Sequence, residues 1–105
     1  MNVTITPAAL GGAVTPPPSK SQAHRLIIAA ALSDGVCRLS NVETRPQDIQ
    51  ATLRCMRTLD ADASADGTVI RGADLVDGFE TPPPEIMDCG ESGSTLRFLI
   101  PVALA

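Results

Sequence analysis

Residues 2–6 alternate polar and apolar side chains and stop at Pro7, a pattern that predicts a short strand. Pro16, Pro17 and Pro18 then impose a stiff, extended approach, because each ring locks φ and removes a donor. Beyond them Ala23, Leu26, Ile27, Ile28, Ala29, Ala30, Ala31 and Leu32 are apolar nearly all round. Such a run predicts a helix buried on most sides, starting at Ser19 or Ser21 and ended by Gly35. Residues 36–40 alternate as a half-buried strand. Thr44 and Gln47 have capping-box spacing around Pro46 and open a second helix. Its apolar positions Ile49, Leu53, Met56 and Leu59 recur at spacings of four and three, with Arg54 and Arg57 on the outward face. Residues 61–65 and 68–71 flank Asp66-Gly67, which predicts a hairpin with a two-residue type I′ turn. After Pro82, Pro83 and Pro84, residues 85–89 read as a short strand, and the glycine turn at 90–94 opens a third helix from Thr95 or earlier. That helix stays apolar from Phe98 to Ala105 with no polar closing segment, so the expectation is the front part of a longer protein.

At 105 residues the chain suits one compact domain or part of one, in the α/β (α+β) class. A mean hydropathy of +0.15 with 19% charged residues excludes a disordered chain. The longest apolar run unbroken by proline, residues 26–32, is too short to cross a bilayer. The net charge of −4 argues against nucleic acid or an anionic membrane surface as partner. Its distribution says more than its sum: before Asp34 the chain carries Lys20 and Arg25 and no carboxylate, so an anion meets its best potential there. No signal-peptide pattern is present, and the expected location is cytoplasmic. Cys37, Cys55 and Cys89 are odd in number and lie 18 and 34 residues apart, which suggests neither a disulfide framework nor a zinc site. They read as reduced, mostly structural thiols.

Two segments hold candidate chemistry. The first is Ser19, Lys20, Ser21, Gln22, Ala23, His24 and Arg25 at a helix start, where free amides and the positive dipole end suit a phosphate or carboxylate. Ser21 and Arg25 share a face, and Lys20 reaches the same anion from the cap; the plain alternative is a capped helix with solvated cations. His24, without a carboxylate or cysteine neighbour in sequence, reads as a surface or hydrogen-bonded residue. The second segment runs from Asp88 to Arg97, a strand end, a glycine turn and a helix start. Its glycines permit close backbone approach, and Ser92, Ser94, Thr95 and Arg97 suit an anion; here too a simple capped helix is the plain alternative. Neither GxxxxGK[ST] nor GxGxxG is present. Arg54, Arg57 and Asp48 read as features of the second helix alone.

Together, PPPSKSQAHRLIIAAALSDG, the NVETRPQDIQATL helix, the DG hairpin and DCGESGSTLRFLIP resemble the beginning of the 5-enolpyruvylshikimate-3-phosphate synthase family, also called 3-phosphoshikimate 1-carboxyvinyltransferase. The resemblance spans essentially the whole chain. It implies a truncated βαβαββ unit of an inside-out barrel, with residues 1–18 a strand and linker belonging to the other domain. Residues 19–105 would then be the first unit and the start of the second. It further implies transfer of the enolpyruvyl group of phosphoenolpyruvate to the 5-hydroxyl of shikimate 3-phosphate, by addition and then elimination of phosphate, with no metal or organic cofactor. Lys20 would contact both substrates and act catalytically, Ser21 and Arg25 would hold shikimate 3-phosphate, and Gly93 would border phosphoenolpyruvate, where glyphosate also binds, with Ser94 and Arg97 shaping that loop. Asp48 matches the family. Glu91 stands where many members carry asparagine, and Pro46 and Gln47 stand where many are more acidic.

The remaining cationic residues and the acid/base carboxylates of such enzymes lie in later sequence. The rest of the same polypeptide is thus an implied partner, and this piece alone is expected to lack turnover. The related UDP-N-acetylglucosamine enolpyruvyl transferases are a rival that Ser21 and Arg25 argue against. A binding or assembly module without chemistry is the rival from another class.

Overall fold

A computed structural model of the chain describes residues 1–73 and 86–105. In chain order the elements are α1 (Lys20–Ala31), β1 (Val36–Arg38), α2 (Gln47–Arg57), β2 (Asp62–Ala63), β3 (Val69–Arg71) and α3 (Gly93–Leu104). The strands form one antiparallel sheet in the order β1-β3-β2, with Cys37 and Ala63 both opposite Ile70. β1 and β2 therefore run parallel on either side of β3, joined by the crossover helix α2.

The core is built from the helical faces that the spacing marks out. Ile49, Leu53, Met56 and Leu59 are buried against Ile27, Ala30 and Ala31 of α1, Ile70 of the central strand and Leu99 of α3. Burying a side chain of this size stabilises the fold by roughly 1.5–3 kcal/mol. α1 departs from expectation, for only one face is covered: Ala29 is exposed and Leu32 retains 40% of its surface. α2, α3 and β3 are the elements packed against it.

Five further local expectations are corrected. Residues 2–6 pair with no strand, and Val3 and Ile5 stay 73% and 85% exposed; alternation makes a segment fit for a sheet, but an isolated strand has no edge to bond. Residues 86–89 likewise form no strand, while Glu85 and the Pro82–84 loop lie outside the described residues. Gly35 does not cap α1, which ends earlier: Leu32 N–H bonds to the Ile28 carbonyl, and the Ser33 amide and hydroxyl both donate to the Ala30 carbonyl, the latter at 2.7 Å. Thr44 does not cap α2, because its hydroxyl is turned across the fold to the Asp66 carbonyl at 2.6 Å; instead Gln50 Nε2 donates back to the Thr44 carbonyl. The hairpin forms where expected with a different turn. Gly67 has φ 72° and Asp66 is not left-handed, while Gly67 N–H bonds to the Ser64 carbonyl, so a turn over 64–67 leads into a left-handed glycine. Asp66 secures it by accepting from the Ser64 hydroxyl and from the amide and hydroxyl of Thr68, which hold its pKa down at about 2.

Gly72 marks the tightest seam. Its amide donates to the Gly35 carbonyl, and a Cβ there would sit 1.7 Å from the Ser33 carbonyl oxygen. Gly72→Ala should therefore cost at least roughly 2–3 kcal/mol in denaturant unfolding, with a lowered midpoint. Gly35→Ala, which meets nothing within 4 Å, should change it far less.

Candidate functional site

Ser19 caps α1 by accepting from the Gln22 amide at 3.3 Å, which makes Lys20 the first helical residue. From there its ammonium crosses to α2 and bonds Asp48 Oδ2 at 2.9 Å. Asp48 stands in the first turn of α2, where a carboxylate favours the dipole, and its other oxygen accepts from the Ile49 amide. The Lys20 hydrogen bond holds the Asp48 carboxyl below its usual pKa, against the partial burial that opposes it. Beyond its place at the helix dipole, Asp48 is through this ion pair the counter-charge of Lys20.

His24, one turn on from Lys20, is not at the surface: it is 1% exposed. Its Nδ1 pairs with Thr52 Oγ1 at 2.7 Å, and Thr52 Oγ1 pairs with Thr95 Oγ1 at 2.8 Å. Thr52 and Thr95 are fully buried, and the Thr95 hydroxyl also lies within reach of Ser92 Oγ at 2.6 Å and the Asp48 carbonyl at 3.2 Å. One hydrogen-bonded chain thus links α1, α2 and α3, and among the described residues no buried side-chain nitrogen or oxygen lacks a partner. Burial lowers the pKa of His24, with Lys20 and Arg25 acting the same way and Asp48 opposing. The imidazole is accordingly neutral at pH 7, with Nδ1 held by Thr52 and Nε2 lying 4.0 Å from Asp48 Oδ2.

The consequence is a cleft of about 640 Å³ walled by Lys20, by Pro46, Gln47, Asp48, Gln50, Ala51 and Arg54, and by Gly90, Glu91 and Ser92. It touches the start of all three helices: Lys20 opens α1, Gln47 opens α2, and Ser92, whose side chain accepts from the Thr95 amide, caps α3. Three positive dipole ends converge there. Arg54 joins them, since its guanidinium lies 3.6 Å from where a Gly90 Cβ would stand. It is exposed, as its place on α2 implies, yet it lines the cleft and is not simply part of a solvated face. No pattern in the sequence reports this, because Gly90 approaches Arg54 only through the packing of α3 on α2.

The other sequence candidates do not line this cleft. Ser21 and Arg25 are exposed; Arg25 donates to the Ser21 carbonyl at 3.0 Å and stacks over the Phe98 ring of α3 at 5.1 Å. Gly93, Ser94 and Arg97 are exposed on the first turns of α3. No group of three or more potential metal ligands occurs among the described residues, and no helix there is long and apolar enough to cross a membrane.

Comparison with known proteins bears on what this arrangement is. The family model described as EPSP synthase (3-phosphoshikimate 1-carboxyvinyltransferase) matches residues 5–105. The chain belongs to the EPSP synthase family. A 3-phosphoshikimate 1-carboxyvinyltransferase of Clostridium perfringens is 44% identical over 104 residues, covering 97% of this chain and 24% of that protein. One from Clostridium novyi is 44% identical over 110 residues, covering 98% and 25%, and one from Methanopyrus kandleri is 48% identical over 89 residues, covering 82% and 20%. The chain thus spans about a quarter of the length of the curated relatives it matches. In this EPSP synthase family chain the described fold is a small α+β arrangement of three helices and a three-stranded sheet.

The buried chain of hydroxyls carries a specific expectation. Thr95→Val keeps the volume but leaves Thr52 and Ser92 short of a partner, and should lower the unfolding free energy by roughly 1–3 kcal/mol. Thr95→Ser, which restores the hydroxyl, should recover most of that difference in the same denaturant titration.

Proposed function

We propose that the cleft takes up phosphate and carboxylate groups as part of a 3-phosphoshikimate 1-carboxyvinyltransferase, the activity named for the relatives. The observation that carries this reading is the meeting of three helix starts and Lys20 around one cleft in an acidic protein. In the complete enzyme the reaction joins the enolpyruvyl group of phosphoenolpyruvate to the 5-hydroxyl of shikimate 3-phosphate and releases phosphate, within the shikimate route to aromatic amino acids. Lys20 is the catalytic cation and contacts both substrates. Ser21 and Arg25, which do not line the cleft, bind shikimate 3-phosphate from outside its walls, and Gly93, Ser94 and Arg97 likewise bind or shape the phosphoenolpyruvate loop. The Lys20–Asp48 pair supports this assignment, because an incoming anion exchanges one carboxylate for another without leaving the ammonium unpaired.

The remaining parts of the reading concern the whole protein. Residues 19–105 form a truncated βαβαββ unit and the start of a second; residues 1–18 supply a strand to another domain, consistent with their exposure here. The rest of the same polypeptide completes the site with its acid/base groups, the enzyme works in the cytoplasm, and this chain alone has no turnover.

Titration of the isotope-labelled chain with shikimate 3-phosphate at low salt tests the assignment. Saturable amide shifts centred on Lys20, Ser21 and Arg25 are expected, absent with UDP-N-acetylglucosamine. Lys20→Ala should weaken them roughly tenfold or more, the loss of one charge-assisted hydrogen bond. A folded chain whose amides stay still, with the same silence in a longer chain that carries the rest of the enzyme, would overturn the assignment and favour an assembly module.

A further inference from the structure

The turn between the cleft and α3 begins at Cys89, and Cys89 is not alone. Although 34 residues separate them in sequence, its Sγ lies 4.0 Å from Sγ of Cys55 on α2. Both are free thiols, Cys55 being buried and Cys89 half-buried. Each sulfur also lies near a backbone carbonyl, Cys55 at 3.4 Å from that of Asp88 and Cys89 at 3.8 Å from that of Met87. Cys37 is different: its nearest polar neighbour is the Ser33 hydroxyl at 3.6 Å, in the strand layer.

We propose that Cys55 and Cys89 are an oxidation site, closing to an intramolecular disulfide when the chain meets a peroxide. A disulfide needs its sulfurs about 2 Å apart, so the pair must close by roughly 2 Å, within the reach of small χ1 rotations on two adjacent side chains. The two thiols differ in a way that orders the steps. Burial, with the Cys89 sulfur beside it, pushes the Cys55 thiol up to about 11, which keeps it protonated and shielded. Cys89 is the more accessible sulfur, beside an apolar groove formed with Met87, Leu96 and Leu99. The Cys89 thiolate attacks one peroxide oxygen, the O–O bond breaks, and with protonation Cys89 becomes a sulfenic acid as one water leaves. The Cys55 sulfur then attacks the sulfenic sulfur, the S–O bond breaks, and the Cys55 proton departs with the hydroxyl as a second water. Two thiols and one hydrogen peroxide become one disulfide and two waters. The bridge ties α2, one residue beyond Arg54, to the residue just before Gly90, so it joins two walls of the cleft.

The test is a thiol count on the wild-type chain before and after hydrogen peroxide under native conditions, followed by unfolding and peptide mapping. The titre should fall from three thiols to one, the survivor being Cys37, in a monomer lighter by two hydrogens whose linked 55 and 89 peptides separate on reduction. Cys37→Ser should fall from two to none, and Cys89→Ser should keep both of its thiols. A titre that stays at three, a Cys89 carried to the sulfinic acid beside an intact Cys55 thiol, or a bridge between two chains would each overturn the proposal.

Discussion

Thr52 holds His24 on one side and Thr95 on the other, at 2.7 and 2.8 Å, and the position of every helix start follows from that pairing. A buried hydroxyl or imidazole without a partner costs roughly 1–3 kcal/mol, so α1, α2 and α3 cannot slide past one another without orphaning a group. The apolar contacts around Ile27, Ile49, Leu53 and Leu99 drive the helices together but tolerate small shifts. Hydrogen bonds through Thr52 do not. This is why Lys20, Asp48 and Ser92 arrive at the same cleft and at defined distances.

Bringing three helix starts together has an electrostatic cost, because their dipoles present like partial charges to one another. Asp48 offsets it from inside the cleft, paired with Lys20, and Ser92 satisfies an amide of α3. Neutrality of His24 is part of the same balance. A protonated imidazole would add a charge beside Lys20 and Arg25, opposed by the Asp48 carboxylate. Burial is the larger influence and keeps the ring uncharged.

Much of this is legible in the amino-acid sequence. The four-and-three spacing of α2 names the core face of that helix, and the serine-lysine and glycine-serine segments name two of the three helix starts. What was not legible depends on partners distant in sequence. Thr44 had the spacing of a cap and lost that role to the Asp66 carbonyl across the hairpin. Residues 2–6 had the alternation of a strand but no neighbouring edge. Arg54 lies on the outward face of α2, and only the approach of Gly90 turns that face into a wall. The position of His24, three before Ile27 on the buried stripe of α1, is the one signal in the sequence that places its ring in the interior.

The central claim is that a neutral, buried His24 joins the three helices, and a titration of its ring by nitrogen-detected NMR tests it most directly. The account predicts a native-state midpoint below 6.5, and ring shifts that change in Thr95→Val although Thr95 is joined to His24 only through Thr52. Because the folded value is lowered, the stability that His24 contributes is present above 6.5 and is lost as pH falls through that lowered midpoint. A ring that titrates in the folded chain at or above 6.5, indifferent to Thr95, would contradict the account.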